Sequence, residues 1–131
     1  MQQLSKAIAA QYDANAPLKA ALTYGLWDTE APQLTAYPYG VFQLVSHHDD
    51  LTFTDTLENC MVQFKIYHKS SSSVTLDAIL KLLLAAFDFA TLTIDDYTFV
   101  AMHKENIIQN KIDGVWEYLI LFRVMLTIDR P

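Results

Sequence analysis

The last strand-like segment of the chain, residues 115–128, has apolar side chains on both of its faces. An extended chain alternates its side chains between two faces. One face carries mostly aromatic and β-branched residues and the other carries aliphatic ones. A strand that is apolar on both sides has to be covered on both sides. We expect a helix layer on one face, and either the first helix or a neighbouring subunit on the other. The first face comprises Trp116, Tyr118, Ile120, Phe122, Val124, Leu126 and Ile128, and the second Val115, Leu119, Leu121 and Met125.

Three further segments have the alternation typical of strands. Residues 57–67 place Cys60, Val62, Phe64 and Ile66 on one face, and residues 39–46 and 97–109 alternate less regularly. Asp113-Gly114 predicts a tight hairpin turn before the last strand. The polar stretch at residues 47–56 predicts a long hairpin connection between the first two strands.

Apolar residues at helical spacing predict the helices. Leu4, Ile8 and Tyr12 predict a first helix that stops near Asn15, and Pro17 fits the first turn of a short second helix to Leu22. Residues 24–38 hold one glycine and two prolines and predict an irregular connection, whose Trp27 we expect to pack on the core. After a possible cap at Ser73 or Thr75, a third helix carries an apolar stripe of Leu76, Ile79, Leu80, Leu83 and Phe87.

These elements follow one another as helix, strand, strand, helix, strand, strand. The order predicts an α+β fold with a mainly antiparallel sheet of two hairpins flanked by helices. The length of 131 residues fits a single domain spanning residues 1–131.

Composition favours assembly with other protein surfaces. The chain is 52% hydrophobic and only 18% charged, and typical values are about 45–50% and about 25%. The surplus of apolar residues fits either a subunit interface or a larger core. The net charge of −6 argues against tight binding of nucleic-acid phosphates and of anionic lipid.

The sequence also predicts an intracellular protein without a membrane span. Cys60 is the one cysteine, which excludes an internal disulfide and fits a reducing compartment. The first residues lack the apolar run of a secretory signal. Glu117 and Arg123 interrupt the longest apolar stretches, so we expect no transmembrane helix.

Catalytic, cofactor and metal chemistry find little support. His47-His48-Asp49-Asp50 is the first candidate for a metal site, but adjacent residues of an extended chain point to opposite sides. Cys60 lies in an apolar strand face, where a thiol behaves as a small hydrophobic group. Three glycines form no phosphate-binding loop and no nucleophile elbow. We therefore predict that the protein is not an enzyme and holds no cofactor or metal.

The predicted hairpin connection is the candidate site for partner contact. Residues 49–58 contain four acids and no Lys or Arg, together with apolar side chains that could anchor the segment. Connections of this length are often functional. Two interpretations of this segment remain: a loop that becomes ordered against a partner, or a solvated acidic loop with buried apolar anchors. The candidate residues for partner contact, or for the wall of a channel, are Asp49, Asp50, Phe53, Asp55 and Glu58.

Several short pieces, in this order, resemble the tail-completion family of long-tailed phages, the tail terminator or tail-to-head joining proteins. They are Tyr37-Pro38-Tyr39-Gly40-Val41-Phe42-Gln43-Leu44, Thr52-Phe53-Thr54-Asp55, Val62-Gln63-Phe64-Lys65-Ile66-Tyr67 and Asp113-Gly114-Val115-Trp116-Glu117-Tyr118. The helix between them and the closing apolar strand also fit, so the resemblance spans nearly the whole chain.

The resemblance implies a structural role in the virion tail, with assembly in the host cytoplasm. Such proteins form a ring, typically hexameric, that caps the tail tube and offers a surface to the head connector. The expected partners are therefore copies of the chain itself, the tail tube protein and head connector proteins. A chain that is a monomer when free, and assembles only on its partner, is compatible with this role.

Two other classes remain open at this stage. One is another head-tail connector or a minor tail protein. The other is a small cytoplasmic ligand-binding domain or enzyme, with a pocket lined by Trp27, Tyr39 and Trp116. A stable monomer at high concentration would favour the second class.

Overall fold

The computed structural model describes residues 2–51, 56–70 and 72–128 and contains three helices and five strands. The sheet order is β1-β2-β3-β5-β4, with β1 parallel to β2 and all other neighbours antiparallel. In chain order the elements are α1 (Gln2–Ala14), α2 (Ala16–Ala21), β1 (Leu26–Asp28), β2 (Tyr39–Leu51), β3 (Thr56–Lys69), α3 (Val74–Phe87), β4 (Tyr97–Ile112) and β5 (Val115–Ile128).

The mixed helix and strand content agrees with the predicted class, but the predicted order of elements is incomplete. Residues 26–28, predicted to lie in an irregular connection, form the short strand β1 beside Gly40–Phe42 of β2. This strand adds a parallel edge to the two antiparallel hairpins. The short second helix is present, with the Asn15 side chain accepting a 3.0 Å hydrogen bond from the Leu18 N–H and with Pro17 in its first turn.

One face of the sheet and all three helices share a single hydrophobic core. Its centre is an aromatic cluster: the Phe64 ring lies 4.9 Å from Phe87, 5.3 Å from Phe122 and 6.0 Å from Phe42, between centroids. Phe64, Phe87 and Phe122 are completely buried. The predicted alternation of β3 is confirmed, because Cys60, Val62, Phe64 and Ile66 all belong to this core.

Two polar contacts attach α3 to β5 and to the loop that precedes the helix. The Tyr118 hydroxyl donates to the Asp77 carboxylate in the first turn of α3, and the Trp116 indole N–H donates to the Ser70 carbonyl at 3.1 Å. Ser73 occupies the N-cap position, although its side chain makes no capping hydrogen bond. The contact through Tyr118 therefore fixes the start of the helix over the sheet.

The second face of the sheet, which we call the open face, has none of the described helices packed on it. Helix α1 had been a candidate cover for this face, and that expectation is wrong: its buried residues lie in the same cluster as those of α2 and α3. On β5, the odd-numbered residues of the open face stay partly exposed while the even-numbered residues 118–126 are buried. The loop 29–37 lies over part of this face, beside β2 and β3.

Two local expectations are corrected by the structure. Trp27 does not pack into the core: the residue is 38% exposed, and its indole N–H donates to the Tyr24 carbonyl at 2.9 Å. The connection after β2 is shorter than predicted, because β2 continues to Leu51 and β3 starts at Thr56. Backbone pairing between adjacent strands satisfies polar groups of His47–Leu51 that a loop would leave to water.

Candidate assembly surface

Three of the five predicted contact residues lie on the facing strands of the β2–β3 hairpin. Asp49 and Asp50 lie in β2, where their backbones pair with Glu58 and Leu57. Phe53 and Asp55 lie outside the described residues. The structure therefore brings three of the five positions together on adjacent strands, and their predicted role in partner contact stays a prediction.

Glu58 is buried, which the sequence pattern of an acidic loop did not reveal. It is 3% exposed and lies in the core-side row of β3, two residues before Cys60 and paired with Leu126 of β5. Its Oε2 atom lies 3.0 Å from His47 Nε2, an ion-pair distance when the imidazole is protonated. No donor of good hydrogen-bond geometry reaches Oε2 within the described residues. The alternation of β3 was the signal that could have placed Glu58 beside Cys60 and Val62.

A groove of about 410 Å³ lies on the open face between the loop 29–37 and strands β2 and β3. Tyrosines form one end of it: the Tyr39 ring lies 5.0 Å from Tyr67 and 5.6 Å from Tyr37, between centroids. Burial, and next the charge and hydrogen bonding of Glu117, raise the pKa of the Tyr67 phenol far above its ordinary value. The phenol stays neutral, so this end of the groove is an aromatic and hydrogen-bonding surface.

A charged network occupies the middle of the open face. Arg123 of β5 donates from Nε to Glu105 Oε1 at 2.5 Å and from Nη1 to Asn59 Oδ1 at 2.5 Å. Glu105 lies at a bulge of β4, between the pairs formed by Lys104 and Asn106. The hydrogen bond from Arg123, and then its charge, lower the pKa of the Glu105 carboxyl below its ordinary range. These hydrogen bonds therefore link β3, β5 and β4 across the open face.

Large apolar side chains remain exposed on the loop over the groove, directly after α3 and on the edge strand β4. Leu34, at the tip of the loop over the groove, is 96% exposed, and Phe89, after α3, is 82% exposed. On β4, Ile108 and Ile112 are also exposed. The sequence predicted an excess of apolar surface, but it did not indicate these four positions, because exposure of single residues depends on which neighbours the fold supplies.

The three aromatic residues of the predicted ligand pocket are not brought together. Tyr39 lines the groove on the open face. Trp27 lines a separate cleft of about 270 Å³ against α1. Trp116 donates to Ser70 next to α3. The described helices include none with the length and hydropathy required to cross a bilayer.

The fold is similar to that of virion proteins. A chain of the native gene transfer agent (GTA) particle virion superposes with a TM-score of 0.82 at 17% identity, covering 96% of each chain. The gp17 protein of bacteriophage SPP1 superposes with a TM-score of 0.60 at 19% identity, covering 99% of this chain and 93% of that one.

Sequence comparison supplies the family. No curated protein matches the chain. The family model described as tail completion protein gp17 matches residues 6–107, most of the chain. The protein therefore belongs to the tail completion protein family, a family of structural proteins of the phage tail.

Proposed function

We propose that the protein caps the tail tube as a ring and provides the surface on which the head joins the tail. The observation that carries this proposal is the open face of the sheet. A chain that acted alone would gain free energy by covering Leu119, Leu121 and Met125, each of which keeps part of its side chain in water. Neighbouring proteins of the tail are the natural cover for this surface.

The partners in this proposal are copies of the chain, the tail tube protein and the head connector proteins. We propose a hexameric ring that is completed in the host cytoplasm, while the free chain is a monomer. The role requires no chemical step, so the protein acts without enzymatic activity. Membership of a structural tail family supports association with other proteins of the virion and a role without catalysis.

A second part of the proposal concerns the channel. Asp49, Asp50 and Asp55 give the hairpin end a local excess of negative charge. Acidic side chains along a channel would repel DNA and prevent it from adhering to the wall. Glu58 cannot contribute its charge directly, because its side chain is buried.

The channel hypothesis is tested by changing Asp49, Asp50 and Asp55 together to Asn. We expect particles to assemble and to eject DNA more slowly, with a stronger dependence on salt, measured by the release of DNA from purified particles. Normal ejection by particles that contain the variant would contradict the channel role.

The capping role is tested by removing the gene product during phage assembly and adding the purified protein back. Without it, we expect tails of irregular length that do not join heads, seen by electron microscopy of negatively stained lysates. Added protein should restore joining. Tails of normal length that join heads without the protein would refute the proposal. Copurification with the portal or an adaptor, and not with tube protein, would instead indicate another head-tail connector or a minor tail protein.

A further inference from the structure

The floor of the groove on the open face is a short ladder of facing residues on β2 and β3. Its three pairs, in order along the strands, are Tyr39 with Tyr67, Val41 with Lys65, and Gln43 with Gln63. Alternate residues of a strand lie about 7 Å apart, so the floor is roughly 14 Å long. Along this length the groove changes from aromatic rings to a cation and then to amides.

The tyrosine end of the groove offers flat ring faces and a hydroxyl donor. Tyr39 stacks on Tyr67, and Tyr37 of the loop lies beside Tyr39, so three rings are adjacent. None of the three is fully buried. Burial raises the pKa of the Tyr39 phenol, which therefore stays protonated and able to donate. Grooves lined by such rings bind proline-containing segments in the polyproline II conformation.

The cation in the middle of the floor, Lys65, has no partner among the described residues. Neither their ion pairs nor their side-chain hydrogen bonds involve its ammonium group. The Glu117 carboxylate accepts a hydrogen bond from the Tyr67 phenol instead, and Glu30 lies on the exposed rim of the groove. An unpaired ammonium on a half-buried floor favours a carboxylate on the molecule that enters the groove.

We propose that this groove binds an extended segment of another protein in which a proline lies two residues from an Asp or Glu. A polyproline II segment rises about 3.1 Å per residue, so two residues span about 6 Å. That length is close to the ~7 Å between the tyrosine pair and Lys65. The proline ring then packs on the tyrosines, the carboxylate meets Lys65, and the amides of Gln43 and Gln63 bind backbone carbonyls. This binding goes beyond the capping role and does not depend on it.

The loop over the groove displays an apolar side chain in a strained turn. The Thr35 N–H donates to the Pro32 carbonyl at 3.2 Å, which closes a four-residue turn. The third residue of this turn, Leu34, has a φ of 64°, a conformation that favours glycine and is uncommon for leucine. Leu34 is 96% exposed, so its side chain adds almost nothing to the core. Strain of this kind is typical of contact sites, and Leu34 lies at the groove, where it contacts a bound segment.

The chemistry of the groove disfavours other occupants. A wholly apolar segment would leave the Lys65 ammonium and the two glutamine amides covered and without partners, which costs free energy. A basic segment would bring like charge to Lys65. Nucleic acid would meet a chain with a net charge of −6 and the acidic rim at Glu30. A short segment with a proline and one carboxylate satisfies both the rings and the cation.

The test uses the isolated protein and three fluorescein-labelled hexapeptides with blocked ends. The probe is Glu-Ala-Pro-Pro-Ala-Glu, which presents the same spacing in either chain direction. Gln-Ala-Pro-Pro-Ala-Gln removes the charges, and Glu-Ala-Gly-Gly-Ala-Glu removes the proline rings. We expect fluorescence anisotropy to show saturable binding of the probe with a Kd below about 1 mM. Each control peptide should bind about fivefold more weakly or less, the effect of one partly exposed ion pair.

Two substitutions that each remove one charge from the groove give opposite expectations. Lys65→Gln should weaken binding of the probe about fivefold and leave binding of the glutamine peptide unchanged. Glu30→Gln should tighten binding of the probe. Lys104→Gln is the matched control, because it makes the same charge change at an exposed position of β4 outside the groove. Leu34→Gly should weaken binding of both proline peptides without lowering the Tm, measured by circular dichroism.

Amide chemical shifts of the protein locate the bound probe, and changes at Tyr39, Gln63 and Lys65 would support the proposal. Equal binding of the three peptides, or of the probe by wild type and Lys65→Gln, would overturn it. Changes at the same amides on dilution of the protein alone would show a second copy in the groove and would also overturn it. If Lys65→Gln fails to fold, the wild type's preference for the probe over the glutamine peptide decides. Loss of capping in phage assembly would leave all these results unchanged.

Discussion

Neighbouring residues on β5 should differ sharply in what they contribute to the isolated chain and to the assembly. Ile120 is completely buried against the helices, whereas the adjacent Leu121 lies on the open face and is partly exposed. Changing each to Ala removes a similar amount of apolar side chain. The two variants therefore compare the core face with the open face at one position of the sheet.

The magnitudes follow from burial. Truncating a fully buried aliphatic residue to Ala costs about 2–5 kcal/mol, since it loses the transfer free energy and leaves a cavity. We expect Ile120→Ala to lose about 3 kcal/mol of unfolding free energy on this basis. For Leu121→Ala we expect about 1 kcal/mol, because part of the side chain is already in water and no closed cavity forms. For incorporation into tails we expect the reverse order, with a larger loss for Leu121→Ala than for Ile120→Ala.

Urea unfolding of dilute protein, followed by tryptophan fluorescence and circular dichroism, gives the two free energies. Incorporation into tails, measured at a concentration where both variants are folded, gives the effect on assembly. We expect Leu121→Ala to incorporate poorly and Ile120→Ala to incorporate well once folded. Equal losses of stability in the isolated chain, or normal incorporation of Leu121→Ala, would refute the assignment of the open face to assembly.

Three further changes test individual contacts. Tyr118→Phe removes the hydroxyl that donates to Asp77, and we expect a loss of about 1–2 kcal/mol in urea unfolding. Gly114→Ala forces a side chain into a turn position with φ of 78° and should cost about 1–2 kcal/mol in thermal unfolding, although the space around it is open. Because Arg123 lowers the pKa of Glu105 in the folded state, the stabilisation is complete above the ordinary Glu range near pH 4 and is lost as the pH falls through the lowered value. Lowering the pH should therefore reduce the free energy of unfolding of the wild type more than that of Glu105→Gln. The same dependence of this free energy on pH in both proteins would contradict the contact between Arg123 and Glu105.

The sequence was most informative where one local pattern matched the packing of the fold. The alternation in β3 correctly placed Phe64 on the core face, and the Asp113-Gly114 turn correctly predicted the β4–β5 hairpin. In both cases the nearest neighbours in sequence determine the geometry: the strand period sets the face, and positive φ at both turn residues fits a tight turn.

Other features depended on long-range contacts and could not be predicted. Leu26–Asp28 becomes a strand because β2 presents a free edge beside it, and a three-residue run has no period of its own. His47–Asp50 looked like a loop by composition, yet pairing with β3 extends the hairpin through it. The burial of Glu58 followed from that extension. The sequence therefore did not reveal the strand pairing of Asp49, Asp50 and Glu58, and the role of the five candidate residues in partner contact stays a prediction.

The contact of Asp88 and Phe89 with β4 has a consequence for the free protein in a crowded cell. A sheet with two fully bare edges is an aggregation risk at any concentration at which copies collide. Here the Phe89 N–H donates to the Met102 carbonyl and the Asp88 carboxylate accepts from the Lys104 N–H, so the segment after α3 covers backbone groups on the first half of the edge strand β4. Copies that meet at this half of β4 find backbone groups that are already paired, which lowers the tendency of the free protein to aggregate through this edge.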